Sequence, residues 1–331
     1  MRPTSDTTIQ RPDLGQAVYE TMQSAPSMGY IGLQLMPIFA VSEQAANYPV
    51  IPQEALFNLL DTKRGPLGHY NRSEDEFEDG FYSTSENGLE RRIDKRYAAI
   101  YGTRFAYELT ISNILMNDIL RAQEYRVASK LFSETNFKTA IAASTAWSTV
   151  ATALPKNDVD TGKEVLRALG VIPDTLAMGY TTFLYLTQNA KIQERVYQLF
   201  PDTAKDGNIG IEHLKTYFQV PNILVGGALY NASKRGQDAS LSDMWGSTYA
   251  LLCKTATGDI TEPCIGRTFK WNEGASSDVI VEQYYSDEVR SDILRVRHDT
   301  AEAFLASFDS DGSGKSTISK NCGYLIDVTG N

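Results

Sequence analysis

Apolar positions recur at helical spacing most persistently between Phe105 and Phe132, FAYELTISNILMNDILRAQEYRVASKLF, a run with neither glycine nor proline. On a helical wheel Ile111, Leu115, Ala122 and Tyr125 fall on one side, and Met116, Leu120, Val127 and Leu131 on another, with charges between them. A helix of about 28 residues spans roughly 42 Å at 1.5 Å per residue. The pattern therefore predicts a strut that packs against more than one surface. Ahead of it, residues 13–24 predict a short helix opened by Asp13, and APSMGYIGLQLMPIFAVSEQAANYPVIP reads as extended, proline-interrupted chain. Tyr30, Ile31, Leu33, Leu35, Met36, Ile38 and Phe39 crowd this arm with more apolar surface than a free segment can leave in water. Something must cover it, and Leu35 and Phe39 are candidate contacts.

Between the arm and the strut, residues 53–103 are the most polar part of the chain. Tyr70, Phe77, Phe81 and Tyr82, with turn signals at Gly65-Pro66 and Asp79-Gly80, favour an ordered projection over a disordered insertion. Two strands of about a dozen residues reach roughly 40 Å. A polar hairpin of that length builds no core of its own. Its acidic tract (Glu74, Asp75, Glu76, Glu78, Asp79) lies near a basic run (Arg91, Arg92, Lys95, Arg96), which fits charge pairing with a neighbouring molecule as well as it fits a solvated face. Arg64, Glu74, Asp75, Glu76, Arg91 and Arg92 join Leu35 and Phe39 as candidate subunit-interface residues.

The remainder alternates helix and strand. A helix is predicted near 158–169, a strand near 174–178 and a helix near 180–188. YFQVPNILVGGALYNAS and DMWGSTYALLCKT read as strands, residues 265–285 as a hairpin, EVRSDILRVRHDTAEAFLAS as mixed structure, and TISKNCGYLIDV as a last strand. No internal repeat or linker divides the chain. The prediction is one α+β body carrying an arm and a long loop.

Composition narrows what such a body does. With 42% hydrophobic and 22% charged residues, this is the profile of a folded soluble protein. No apolar run is long enough to span a bilayer, and the N-terminus lacks the apolar core of a signal peptide, so cytoplasmic synthesis is expected. A net charge of −10 argues against gripping DNA by sequence, yet suits a surface that lies near DNA without holding it. Cys253, Cys264 and Cys322 show no metal or disulfide spacing. His69 sits in a turn-rich stretch, while His213 and His298 read as solvated or capping residues of mixed polar helices rather than general bases. No catalytic or dinucleotide-binding fingerprint is present, so neither an enzyme nor a cofactor is expected.

The loudest motif, FDSDGSGKST at 308–317, resolves into a turn. Gly314, Lys315 and Ser316 match the end of a phosphate-binding loop, but Asp309 replaces its first glycine. Asp309, Asp311 and Ser313 match the first positions of a calcium loop, but Lys320 replaces the bidentate Glu, leaving at most a weak cation site.

It is the order of parts that is specific. The arm GYIGLQLMPIFAV, the charged loop, the helix with RAQEYRVASKLFSETNF, then KEVLRALGVIPDTLAMGYTTFLYLTQNAKIQERV, VPNILVGGALYNASKRGQDASLSDMWGSTYALLCKT, GRTFKW and CGYLIDV resemble, nearly end to end, the major capsid proteins of tailed bacteriophages. Their fold, the Hong Kong 97 type, is shared with encapsulin shells. The resemblance implies an N-terminal arm at 1–52, an extended loop at 53–103, peripheral-domain segments at 104–154 and 255–331, and an axial domain at 155–254. It also implies hexameric and pentameric capsomers that close an icosahedral shell around double-stranded DNA in the host bacterial cytoplasm. Portal and scaffolding or decoration proteins are the implied partners. An encapsulin-like compartment is the alternative, and a soluble α+β enzyme a more distant one. Some relatives crosslink Lys to Asn; Lys63 lies in the loop, but no partner Asn is identifiable.

Overall fold

A computed structural model describes residues 8–51, 57, 59–64, 66, 68–72, 77–102, 106–137, 140–201, 209–234, 236–272, 279–305, 308–310, 316–318 and 322–330. In chain order the elements begin with β1 (Ile9–Gln10), α1 (Pro12–Gln23), a 3-10 turn (Ala25–Met28), α2 (Gly32–Leu35), β2 (Ile38–Val41), β3 (Ala45–Val50), β4 (Glu78–Ser83) and β5 (Ser85–Asp94). They continue with α3 (Lys95–Tyr101), the spine helix α4 (Tyr107–Leu131), β6 (Ala140–Ala142), α5 (Pro155–Ala168), β7 (Thr175–Gly179), α6 (Tyr180–Gln188), α7 (Ala190–Leu199) and α8 (Ile211–Phe218). The rest is nearly all strand: β8 (Asn222–Gly226), β9 (Leu229–Asn231), β10 (Leu241–Asp243), β11 (Tyr249–Cys253), β12 (Arg267–Trp271), β13 (Ile280–Ser286), β14 (Ser291–Ala303), β15 (Phe308–Ser310), β16 (Ser316–Ile318) and β17 (Gly323–Asp327). The fold is α+β, as the sequence predicts.

Two sheets carry the body. The first is organised by the 13-residue β14, which pairs antiparallel with β5 along one edge and with β13 and then β12 along the other. Residues 265–285 are therefore not a hairpin: β12 and β13 never pair with each other but occupy successive lengths of one edge. The stretch read as mixed structure is this central strand, because its charged residues are partnered across the sheet. Arg295 reaches Glu90 and Glu282, and Arg297 reaches Glu282 and Glu86. β1 and the arm strand β2 complete the sheet.

The second sheet has the order β6-β17-β11-β7-β8. β7 is buried along its whole length, as a strand covered on both faces must be. Alternate residues enter different cores. Leu176, Met178, Ala250, Leu252, Tyr324 and Ile326 meet the layer formed by α5, α6, α7 and α8, whose buried residues include Val159, Leu166, Leu186, Val196, Leu214 and Phe218. Ala177, Leu251, Cys253 and Leu325 face the arm and the end of the spine helix. The last of these strands, β17, lies inside this second sheet, between β6 and β11. Its two apolar faces match that double burial.

The spine helix explains the coupling of the two sheets. Its first half sends Ile111, Leu115, Met116, Ile119 and Leu120 onto Val281, Leu294 and Val296 of the first sheet. Its last turns send Val127, Ala128 and Leu131 into the core against the second. It is a strut between two surfaces, but by halves rather than by two stripes; Tyr125, assigned to one stripe, is 48% exposed. The predicted self-paired loop hairpin also changes form. β4 pairs with β3, ahead of the loop, and β5 with β14, because β14 offers a full-length edge that a private hairpin lacks.

Candidate assembly surfaces and the arm clamp

The arm is held by its own subunit. Ile31 is 4% exposed and Leu35 and Met36 are fully buried, packed with Val127, Leu131 and Trp245. β2 runs parallel to β12, the Thr268 hydroxyl donates to the Met36 carbonyl at 2.9 Å, and Phe39 packs edge-to-face on Phe269 with centroids 6.1 Å apart. The Arg267 guanidinium covers the Phe39 ring. Leu35 is therefore a core residue of the same chain, which corrects its assignment to a neighbour, while Phe39 is half-buried against its own chain. A one-turn helix followed by a sheet strand buries the apolar residues that an extended reading left bare.

Glu124 fastens this arrangement. Projecting from the spine helix and 3% exposed, its Oε1 accepts hydrogen bonds from Ile31 N at 2.7 Å, Gly32 N at 3.0 Å and the Trp245 indole Nε1 at 2.6 Å. Oε2 accepts from Gly32 N at 2.8 Å. Burial pushes the Glu124 carboxyl above its usual range, although the backbone and indole donors pull against that shift. Gly32 is required by the approach: a Cβ there would stand 2.5 Å from Oε2. Behind it Gly29, with φ of 82°, turns the chain so that its carbonyl accepts from Gly227 N at 3.1 Å. One carboxylate thus joins the arm, the strut and the segment before β11. Sequence reading missed Glu124: Leu120, Val127 and Ala128 flank it at helical spacing, but so does Arg121, and no clean apolar stripe marks it as buried.

The outward surfaces lie elsewhere. Along the loop, Leu59 is 97% exposed and Leu60, Tyr70 and Phe77 are exposed as well. Arg64 stacks over Tyr70 at 4.5 Å and donates to the Gly68 carbonyl at 2.7 Å, and Asn71 donates to the Asp61 carbonyl at 2.8 Å, so the tip holds its own shape. Arg91 pairs with Asp118 of its own spine helix at 3.3 Å, while Arg92 is exposed. Glu74, Asp75 and Glu76 lie outside the described residues. The β9–β10 ribbon presents Leu229 and Leu241 outward and seats Tyr230 against Tyr125.

Asp309 pairs through its backbone with Thr317, and Asp311 and Ser313 lie outside the described residues. Among the described residues no group of three or more His, Cys, Asp or Glu side chains is placed to hold a metal, and no helix is long and apolar enough to cross a membrane. The ring of His213 accepts from Gly210 N at 3.1 Å and so caps the start of α8. His298 is corrected: it lies on the buried strand β14, where burial, with Lys270 and Arg126 nearby, drives its pKa down to about 3.

No family model matches the chain. Over 228 residues it is 25% identical to the major capsid protein of Burkholderia phage BcepMu, covering 67% of this chain and 70% of that protein. In sequence the chain is similar to that phage major capsid protein. A phage-related protein from Bordetella bronchiseptica superposes on the chain with a TM-score of 0.70 at 22% identity, covering 98% of each chain. The capsid of a native GTA particle superposes with a TM-score of 0.52 at 10% identity, over 91% of this chain and 90% of the other. The chain has the Hong Kong 97-type fold. The proteins it resembles are capsid proteins by name, a structural role.

Proposed function

We propose that copies of this chain form hexameric and pentameric capsomers that close an icosahedral shell around double-stranded DNA, assembling in the cytoplasm of a bacterial host with portal and scaffolding or decoration proteins as partners. The observation that carries this reading is the loop tip. Leu59, Leu60 and Tyr70 are exposed on a projection without a core, while the body buries its own arm completely enough to stand as a rigid tile. A neighbouring copy is the natural cover for such a tip, and many symmetric contacts make modest individual ones sufficient. Residues 59–72 carry one acid (Asp61) and three basic residues (Lys63, Arg64, Arg72), a charge of +2 on a chain of −10. The rest of the chain is then −12, so tip and neighbouring body attract. Arg64, Arg92 and the tract Glu74, Asp75 and Glu76 are the proposed ionic contacts, with Arg91 shared between a neighbour and Asp118. The negative body is suited to enclosing DNA without binding it tightly.

Negative-stain microscopy and sedimentation of the purified chain test the proposal. Rings, capsomers or closed shells are expected. A 36.7 kDa species at all concentrations, in the presence of the other virion proteins as well, refutes it. Nuclease-resistant DNA within particles separates a genome container from a protein-filled compartment.

A further inference from the structure

Where α1 ends, the chain turns through Pro26 and the left-handed Gly29 before reaching the clamp at Ile31 and Gly32. This bend does not close fully onto the spine helix. It leaves a cavity of about 160 Å³ walled by Met22, Tyr30, Leu33, Leu120 and Val127, with Gln123 also lining it. Gln123 is 4% exposed, and its side-chain nitrogen has no hydrogen-bond partner among the described residues. A buried amide donor without an acceptor is costly to leave unmade. The neighbouring carboxylate cannot relieve it, since Glu124 directs its oxygens to Ile31, Gly32 and Trp245.

We propose that this cavity is a binding site for a small, uncharged aromatic molecule carrying one hydrogen-bond acceptor. Size sets the first limit: a cavity of about 150 Å³ with aliphatic walls takes up a single benzene ring. Charge sets the second. An anion meets the Glu124 carboxylate, and a cation loses its hydration against Met22, Leu33, Leu120 and Val127. The Gln123 amide sets the third, by donating to a ligand carbonyl or ether oxygen. Such a ligand bridges the arm and the strut beside the clamp, so its occupancy tightens the joint that positions the arm. This assignment does not depend on shell assembly.

Equilibrium dialysis of the full chain against acetophenone and against cumene, which share ring and shape but differ in the carbonyl, tests it. One saturable site per chain is expected, with acetophenone binding about fivefold more tightly for one net hydrogen bond. Gln123→Leu brings the two ligands to parity, and Leu33→Trp, which fills the space, abolishes both. Absence of saturable binding to the wild-type chain, or equal affinity for the two ligands, overturns the proposal without requiring either variant to fold. Retention of the acetophenone preference in a folded Gln123→Leu chain overturns it too.

Discussion

Replacing Glu124 with Leu keeps the approximate volume and removes every acceptor from the arm clamp. Three buried donors, Ile31 N, Gly32 N and Trp245 Nε1, then lose their partner. At about 1–3 kcal/mol for each buried donor left unsatisfied, the simple sum is roughly 3–9 kcal/mol. Two effects reduce it. The wild-type carboxylate already carries a desolvation cost, as its raised pKa records, and the arm relaxes toward water once freed. A loss of about 3–5 kcal/mol is expected, a large part of the 5–15 kcal/mol typical of a whole domain. Hydrogen exchange read by mass spectrometry on the arm, with urea denaturation of the dissociated subunit alongside, measures both aspects. Protection of residues 30–36 collapses first, while α5 to α8, which pack on the face of the second sheet turned away from the arm, stay protected. Glu124→Gln retains one carbonyl acceptor and loses less. Unchanged exchange in the arm of Glu124→Leu, with an unaltered urea midpoint, refutes the clamp.

Four further outcomes are expected. Because the folded-state pKa of Glu124 is raised above its ordinary 4.5, its contribution to stability is full below that value and is lost as pH rises through the folded value; Glu124→Gln removes this slope from a pH series of urea midpoints. His298 acts in the opposite sense: with its pKa depressed to about 3 from 6.5, stability present above pH 6.5 is lost as pH falls toward 3, at up to about 1.4 kcal/mol per pH unit. His298→Gln flattens that acid limb in the same assay. Leu35→Ser destabilises the folded subunit by about 3 kcal/mol or more, through a cavity and a buried hydroxyl, whereas an interface residue would spare the urea midpoint. Leu59→Asp leaves that midpoint within about 0.5 kcal/mol while lowering particle yield in sedimentation, and equal yield removes Leu59 from the proposed contact.

Some helices were legible because they carry apolar positions at helical spacing. The helix observed at Tyr180–Gln188 coincides with the reading, and those at Pro155–Ala168 and Tyr107–Leu131 differ by a few residues at their ends, whereas Ala190–Leu199 and Ile211–Phe218 were not read. Partnering was less legible. β14 looks irregular in one dimension since its Arg295, Arg297 and Glu302 are balanced by Glu282, Glu90 and Arg126 from distant segments. The arm misled for a related reason: an apolar cluster requires a cover but does not specify whether that cover is another molecule or Val127 and Trp245 of the same one. Glu124 was hidden because a single acidic residue on a charged helix carries no spacing signal, and its partners are two backbone amides and an indole 121 residues away.

The position of β17 has a consequence for biosynthesis. The second sheet places Gly323–Asp327 between β6 and β11, so those two strands stay unjoined until β17 has been made. At about 5–20 residues per second, the earlier strands wait several seconds with an apolar slot open to any passing chain. A nascent tile is thus unable to present a finished second sheet until β17 arrives, which delays premature joining of half-made copies on one messenger.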